Sequence, residues 1–381
     1  MVESASSFRA AIGVNARALR RYSRHLLIPE VGLGGQERLA ASRVLVVGAG
    51  GLGSPALQYL AAAGVGRIGV VDDDSVDETN LQRQTIFSEA DVGRKKTAAA
   101  AERMRAGNPL VAIDAIPVRF DASNARALVR LYDVVLDCTD NFGTRYLIND
   151  ACFFERRPDV YGSIFRFDGQ VSVFCQDAGP CHRCLYPEPP PAESRPSCAE
   201  GGVLGALAGI VGAFQASEAI KLLLGVGESL AGRLLLIDSL GARVREVRFE
   251  RDSRCALCGE TATIKSVDGQ AYDDDVCDAS VVEVDSDRLD RALSDAVLLD
   301  VREPHEAVLG SIAGAVCIPA SQLEARMSEL DSATRYIVAC RVGAKSLWAL
   351  QRLRDAGFTR LQHLHGGLLA YAAGHEDFEF F

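Results

Sequence analysis

Residues 44–74 read VLVVGAGGLGSPALQYLAAAGVGRIGVVDDD. The stretch opens on an apolar strand, VLVV, that runs straight into glycines. After Gly53, SPALQYLAAAGV is Ala/Leu-rich and reads as a helix, and RIGVVDDD (67–74) is a second apolar strand ending in acids. Near-continuous apolar strands belong in a parallel sheet covered on both faces. This β-α-β unit predicts an α/β, Rossmann-like first domain. Gly48, Gly50 and Gly53 form G-x-G-x-x-G between strand and helix, with Gly51 inside it. Glycine there permits a tight turn and lets backbone N–H groups approach a phosphate at the helix N-terminus. Asp72 ends the next strand, where an acid bonds ribose hydroxyls. Taken alone, this fingerprint fits a nicotinamide dinucleotide as well as any other nucleotide.

The flanking segments change that reading. TNLQRQ (79–84) places Thr79, Asn80, Leu81, Gln82 and Arg83 just beyond Asp72. GRKK (93–96) opens a helix over 92–106 with Lys95 and Lys96, and VVLDCTDN (134–141) is a strand closing on Asp140 and Asn141. The C-terminal edge of such a sheet is where ligands bind. A dinucleotide carries only a pyrophosphate. Several cations and a free carboxylate better suit a triphosphate with Mg²⁺. Lys95 reads as a solvated charge; Lys96, Arg83 and Asp140 fall in the strand-edge cluster. Residues 15–42 read as helical, and 161–175 and 233–250 as strands with a helix over 203–224 between them. The apolar stretch 203–214 is too short to span a bilayer and predicts a buried helix.

Eleven cysteines in a chain with no visible secretory signal argue for metal and catalytic thiols rather than disulfides. Cys181-His-Arg-Cys184 and Cys255-Ala-Leu-Cys258 are two C-x-x-C knuckles, the spacing that supplies four thiolates to a tetrahedral, structural Zn²⁺. A redox C-x-x-C explains one pair but not both. His182 lies inside a knuckle, yet four thiolates already close the site. Cys198, in RPSCAEGG (195–202), precedes the apolar helix and follows an Arg, an environment that lowers a thiol pKa. Cys340 opens CRVGAKS (340–346) between a strand and a helix. Such a turn wraps N–H groups around one sulfur, and the helix dipole with Arg341 and Lys345 favours a thiolate or persulfide. Cys138, Cys152, Cys175, Cys277 and Cys317 read as core or incidental residues, and the lone Trp348 as core.

Residues 1–262 carry 30 basic and 31 acidic side chains; the rest carry 11 and 20, so the net charge of −10 sits in the C-terminal third. No basic run points to nucleic acid, and neither a leader nor a spanning segment is read, so the expectation is a cytoplasmic protein with no membrane partner. The acidic, poorly periodic stretch from Gly259 to about Asp287 predicts a linker. After it, AVLLDVR (296–302), RYIVACR (335–341) and LQHLHGG (361–367) read as strands and SLWALQRLRDAGF (346–358) as a helix, a second α/β pattern.

These residues together resemble two families. From about 17 to 262 the chain resembles the E1-like adenylating enzymes that serve ubiquitin-like sulfur carriers, the MoeB/ThiF family. The resemblance rests on RYSRHLLIPEVGLGGQ, VVGAGGLGS, TNLQRQ, DVGRKK, DCTDNF, FRFDGQVSVF, both C-x-x-C pairs and PSCAEGGVLG. From about 280 to 381 it resembles a rhodanese domain, through LLDVREPHE, CRVGAKS and HGG. The order is that of the MoeZ/MOCS3 type. The resemblance implies an adenylation domain over 1–262, an acidic linker over 263–281 and a rhodanese domain over 282–381. It implies that Gly48, Gly50, Gly51, Gly53, Asp72 and the 79–83 segment contact ATP, and that Asn80, Arg83 and Lys96 hold its phosphates. Asp140 would bind Mg²⁺ with Asn141 beside it. Arg24, in RYSRH, would reach the ATP of a partner subunit in a homodimer. Cys198 would link to the carrier and Cys340 would bear the persulfide. The implied function is adenylation of the C-terminal glycine of a sulfur carrier ending in Gly-Gly, then sulfur transfer from a donor such as thiosulfate or a cysteine desulfurase to give a thiocarboxylate. Two other functions fit parts of the pattern: an NAD-dependent oxidoreductase on the same glycine turn, and a non-catalytic scaffold with only the rhodanese half active. The rhodanese half departs from its family at Lys345, where arginine is common and its planar fork is lost, and at GSIAGA (310–315) in place of G-H-I-P-G-A.

Overall fold

Arg43–Val47 (β1) and Arg67–Val71 (β2) run parallel with Arg43 opposite Arg67, and only the arginine at the start of each is exposed. The computed structural model that shows this describes residues 16–189, 202–270, 272, 282–308 and 310–375. Cys198 and Cys277 lie outside the described residues. These residues fall into two compact units, 16–189 with 203–272 and the residues from 282 on.

The first unit holds an eight-stranded sheet. Its other strands are Ala112–Ile116 (β3), Val134–Asp137 (β4), Asp159–Phe165 (β5), Asp168–Phe174 (β6), Arg233–Asp238 (β7) and Arg243–Arg248 (β8). The order is β3-β2-β1-β4-β5-β6-β7-β8, parallel from β3 to β5 and antiparallel beyond. The change of direction at β1 and β4 opens the crevice in which such sheets hold ligands. Segments 161–175 and 233–250, read from sequence as strands, each form an antiparallel hairpin. The first turns between Phe165 and Asp168 with Arg166 at φ 53°, a conformation that a bulky residue does not announce.

The helices are Ala16–Arg21 (α1), Ser23–Leu26 (α2), Gly32–Ala41 (α3), Gly53–Ala63 (α4), Lys96–Gly107 (α5), Ala125–Arg130 (α6), Phe142–Glu155 (α7), His182–Leu185 (α8) and Gly205–Leu224 (α9). The helical stretch expected over 15–42 is thus three pieces; Pro29 lies in the second gap, where it cannot continue a ladder. Helix α9 is long and apolar enough to cross a membrane by length and composition, a correction to the shorter stretch read from sequence. Its packing explains the apolarity. Leu207, Ala208, Val211 and Ala219 are buried in the core, and a Cβ on Gly212 would stand 2.3 Å from Leu52 O of the neighbouring glycine loop. Buried Gln215 donates to Asp137 O (2.6 Å) and Val160 O (3.0 Å), tying the helix to the ends of β4 and β5.

Residues 263–270 and Tyr272, read from sequence as linker, pack on this unit. Ile264 and Val267 are buried in its core, and Tyr272 Oη donates to Asp150 at 2.8 Å.

The second unit is a five-stranded parallel sheet: Glu283–Val284 (β9), Val297–Asp300 (β10), Val316–Cys317 (β11), Tyr336–Ala339 (β12) and Leu361–Leu364 (β13), in the order β11-β10-β12-β13-β9. Its helices are Leu289–Ala292 (α10), Pro304–Ala307 (α11), Leu323–Arg326 (α12), Ala344–Asp355 (α13) and Gly367–Ala373 (α14). The strand β9 falls inside the segment expected to be linker. It is an edge of two residues among acids, too short to carry a period.

Candidate functional site

The glycine loop is closed by its own backbone. Gly48 has φ 94°, and a Cβ there would lie 2.7 Å from Cys138 O at the end of β4; a Cβ on Gly53 would lie 2.0 Å from Gly48 O. No other residue fits either position. The loop therefore lies against the DCTDN segment, as the sheet order requires. Asp72 fastens it from the β2 side. One carboxylate oxygen accepts from Ala49 N at 2.8 Å and the other from Asp74 N at 2.9 Å, while burial raises the Asp72 pKa.

The cations gather at the same edge. Lys96, the first residue of α5, is buried, and its Nζ lies 2.7 Å from Asp74 Oδ2. Lys95 Nζ instead donates to Asp73 O. Asp77 caps the turn through Glu78–Asn80, accepting from Thr79 N and Oγ1. Arg83 donates to Thr79 O at 3.1 Å, and its Cγ lies 3.5 Å from where a Gly51 Cβ would be. Gly205, the first residue of α9, packs on the carbonyl of Gln82, so α9 fixes this segment over the loop. Asn141 spends its side-chain oxygen capping α7, accepting from Thr144 N at 2.7 Å, while Asp140 beside it is exposed. Arg24 is exposed on α2. Leu81 is half-buried against the core.

Beneath the edge the structure adds residues that sequence reasoning passed over. Asp137 at the end of β4 is fully buried, accepts from Thr139, and faces the Arg145 Nε at 3.4 Å. Asp159, on the neighbouring strand, is also buried. Loss of water, with the Asp137 charge, pushes its pKa well above the carboxylate range. One cation cannot balance both carboxylates, so Asp159 is the protonated member. Polar residues at the edge of an apolar strand were the available signal, but partnership across β4, β5 and α7 was not in the sequence.

The two knuckles meet. Cys181 caps α8 and Cys184 lies within it, and their Sγ atoms lie 3.5 Å from Cys255 Sγ and 3.3 Å from Cys258 Sγ respectively; Cys181 and Cys184 Sγ are 3.8 Å apart. All four lie within 4.8 Å of one another. A tetrahedron with Zn–S of ~2.3 Å has S···S edges of about 3.8 Å, so the four sulfurs fit that ion with little movement. Hydrogen bonds from neighbouring thiols lower the pKa of Cys184, through Cys181 and Cys258, and of Cys255, through Cys181. His182 turns away into a cage of Tyr146, Tyr161, Phe174 and Tyr186, where burial keeps it neutral. Cys138, Cys152 and Cys175 are buried, and desolvation raises their thiols well above the usual value. Cys317 is exposed.

In the second unit Cys340 follows β12, buried, with Gly343 N donating to its Sγ at 3.1 Å and Ser346 Oγ at 3.4 Å. Gly343 has φ 113°, which turns the loop back on the sulfur before α13 begins. The glycines of HGG close the other side. A Cβ on Gly367 would stand 2.6 Å from both Cys340 O and Arg341 O, and Leu368 N donates to Cys340 O. Lys345 is anchored by Glu306 at 2.7 Å. That glutamate also caps α11 beside the buried Asp300–Arg302 pair. The LDVREPHE motif is therefore the frame of the cysteine loop. Trp348 on α13 is half-buried against the core.

Residues 22–257 match the ThiF family, and residues 285–373 match the rhodanese-like domain. The chain belongs to the ThiF family. The chain is 44% identical over 375 residues to the probable adenylyltransferase/sulfurtransferase MoeZ of Mycobacterium tuberculosis, covering 95% of each chain. It is 42% identical to adenylyltransferase and sulfurtransferase MOCS3 of Mus musculus, covering 93% of this chain and 85% of that one. Against the sulfur carrier protein adenylyltransferase of Thermus thermophilus it is 51% identical over 260 residues, 67% of this chain and 96% of that one. In fold, the ThiF unit is similar to E. coli MccB, with a TM-score of 0.57 at 21% identity, over 67% of this chain and 76% of that one.

Proposed function

We propose that this ThiF-family enzyme adenylates the C-terminal glycine of a small sulfur-carrier protein with ATP and then converts it to a thiocarboxylate with sulfur held on Cys340. Adenylation and sulfur transfer are the activities for which its relatives of both domains are named. The observation that carries the reading is the pairing, in one chain, of a glycine loop ringed by Asp72, Arg83 and Lys96 with a donor-wrapped cysteine.

In the first step a carboxylate oxygen of the carrier attacks the α-phosphorus of ATP and pyrophosphate leaves. A carboxylate is a poor electrophile, and the adenylate supplies the leaving group. Lys96 and Arg83 are the cations placed to neutralise phosphate charge, and Gly48, Gly50, Gly51 and Gly53 are the backbone that admits it. Thr79, Asn80, Leu81 and Gln82 form the adjoining wall. Asp140, an exposed carboxylate at the β4 edge beside Asn141, suits Mg²⁺, which would supply charge neutralisation there. Arg24, exposed next to Leu27 and Ile28, fits a homodimer in which it serves the partner's ATP. Cys181, Cys184, Cys255 and Cys258 would hold a structural Zn²⁺. In the second step the terminal sulfur on Cys340 attacks the acyl-adenylate carbonyl and AMP leaves. Cys198 would then attack Cys340 Sγ and release the thiocarboxylate, leaving a Cys198–Cys340 disulfide for an external thiol to reduce. The proposed arrangement is an adenylation domain that extends past 262 to take in 263–272, a linker after it, and a rhodanese domain over 282–381, in the cytoplasm, charged by thiosulfate or a cysteine desulfurase.

Incubation of a Gly-Gly carrier with the enzyme, Mg-ATP and thiosulfate, read by intact mass, tests this. The expected product has one oxygen replaced by sulfur, and Cys340→Ala stops at the adenylate. An unchanged carrier with no AMP adduct overturns the reading. Full turnover by Cys198→Ala removes the reducing step assigned to that residue.

A further inference from the structure

A polar chain in the second unit leads away from Cys340 through side chains that have no part in the chemistry above. It starts at Cys340 and ends at the sheet edge. Ser346 Oγ lies 3.4 Å from Cys340 Sγ. His363 Nε2 lies 3.0 Å from the same hydroxyl and 3.1 Å from Gly343 O. His363 Nδ1 lies 3.3 Å from Glu283 Oε1, the carboxylate of β9. Ser346 is fully buried and His363 is 3% exposed.

Counting donors and acceptors fixes what this chain can do. A carbonyl and an ionised carboxylate only accept. Glu283 therefore places a proton on Nδ1, which assigns the tautomer from the network. A neutral ring then turns its Nε2 lone pair toward the Ser346 hydroxyl and the lone pairs of Gly343 O. That second meeting is repulsive and is relieved when Nε2 takes up a proton. The single hydroxyl proton of Ser346 has three acceptors in reach: Gly343 O at 2.8 Å, His363 Nε2 at 3.0 Å and Cys340 Sγ at 3.4 Å. Once protonated, Nε2 no longer accepts it, and the hydroxyl is left to Gly343 O and the sulfur.

We propose that His363, acting through Ser346 and held by Glu283, is the proton acceptor that activates the Cys340 thiol. The Sγ–H proton passes to Ser346 Oγ while the hydroxyl proton passes to His363 Nε2. The products are a Cys340 thiolate and an imidazolium, and no electrons change hands. The imidazolium adds a nearby positive charge to the helix dipole of α13, and both favour the anion. Burial is the largest influence on the ring and holds His363 below the ordinary histidine range, so it starts neutral, as a proton acceptor must. The titratable groups that act on it are Glu283 on β9 and His365 on the turn after β13, and Glu283 also binds His365 Nδ1 at 3.0 Å. Ser346 touches the reacting sulfur, and His363 acts on it only through that hydroxyl.

The proposal rests on Cys340 as the sulfur-bearing thiol, and its test reads that thiol without sulfur transfer, so the two readings fail separately. The full chain, reduced, is alkylated with iodoacetamide from about pH 5 to 10. The rate at the Cys340 peptide is followed by mass spectrometry, with exposed Cys317 as the internal reference. In His363→Gln a side-chain amide stands where the imidazole was, but it cannot take up a proton. Its Cys340 profile should move up by about one pH unit, with roughly tenfold slower alkylation near pH 7. Ser346→Ala removes a single oxygen and should give the same shift with a native Trp348 emission. A Cys340 profile unchanged from the parent chain in both variants overturns the proposal.

Discussion

Asp159 illustrates how a residue without a visible role sets a cost. Its carboxyl is buried, and Oδ1 finds no hydrogen-bond partner among the described residues. The folded state keeps the proton because its pKa is raised, whereas the unfolded chain releases it near pH 4. Folded protein therefore binds more protons, and stability falls as pH rises above about 4 until the folded pKa is passed, by about 1.4 kcal/mol per pH unit. Asp159→Asn removes that dependence. Urea midpoints taken between pH 5 and 8 should move in favour of the variant as pH rises; a constant difference would show that Asp159 ionises normally. Asp137, paired with Arg145, is the charge that makes the neutral form of Asp159 the better one. The relay through His363 belongs to this scale too, since each link is one hydrogen bond between side chains distant in sequence.

At the scale of elements, glycines separate turns that must be built from glycine and those that need not be. The β1–α4 turn leaves no room at Gly53, where a Cβ meets Gly48 O at 2.0 Å. Gly53→Ala must displace the first turn of α4 from the loop. A loss of about 1–3 kcal/mol is expected, as for overpacking elsewhere, together with loss of ATP–pyrophosphate exchange. Gly107, the last residue of α5, has nothing within 4 Å of the place a methyl group would take. Gly107→Ala should gain up to about 1 kcal/mol from helix propensity and leave exchange untouched. Chemical denaturation and exchange assays on both variants decide the matter; equal effects on stability would show that the close approach at Gly53 is not what fixes the loop. Helix α9 makes the complementary point. Its apolarity meets the length of a membrane span, yet Gln215 and Gly212 show it built to lie against the sheet.

The whole molecule offers a natural way to watch its two units apart. The lone Trp348 belongs to the second unit, and the four clustered cysteines belong to the first. Removal of zinc with a chelator should lower the calorimetric transition of the first unit by roughly 10 °C, a few kcal/mol for a body of this size. The Trp348 fluorescence transition should stay in place. A chelator that moves neither transition, with no metal in the purified chain, would leave the four sulfurs as thiols. The same division explains the charge distribution. The ThiF unit is nearly balanced, while the acidic excess lies in the C-terminal third.

The sequence determined, by itself, whatever is written in contiguous patterns. The strand–glycine–helix run at 44–63, the acid at Asp72, the spacing of each cysteine knuckle and the CRVGAKS turn are local, because backbone sterics and short-range periodicity operate over a few residues. That sufficed for an α/β fold with a nucleotide loop, a four-cysteine cluster and a second α/β unit around Cys340. Only the tertiary structure decided which local pieces meet. It made a hairpin of 159–174, because the turn at Arg166 carries no glycine to mark it. It drew Ile264 and Val267 onto the first unit and made Glu283 an edge strand of the second, because a short segment gains its burial from neighbours far along the chain. It joined Lys96 to Asp74 and Glu283 to His363, because such pairs are chosen by distance in space, which sequence separation does not encode.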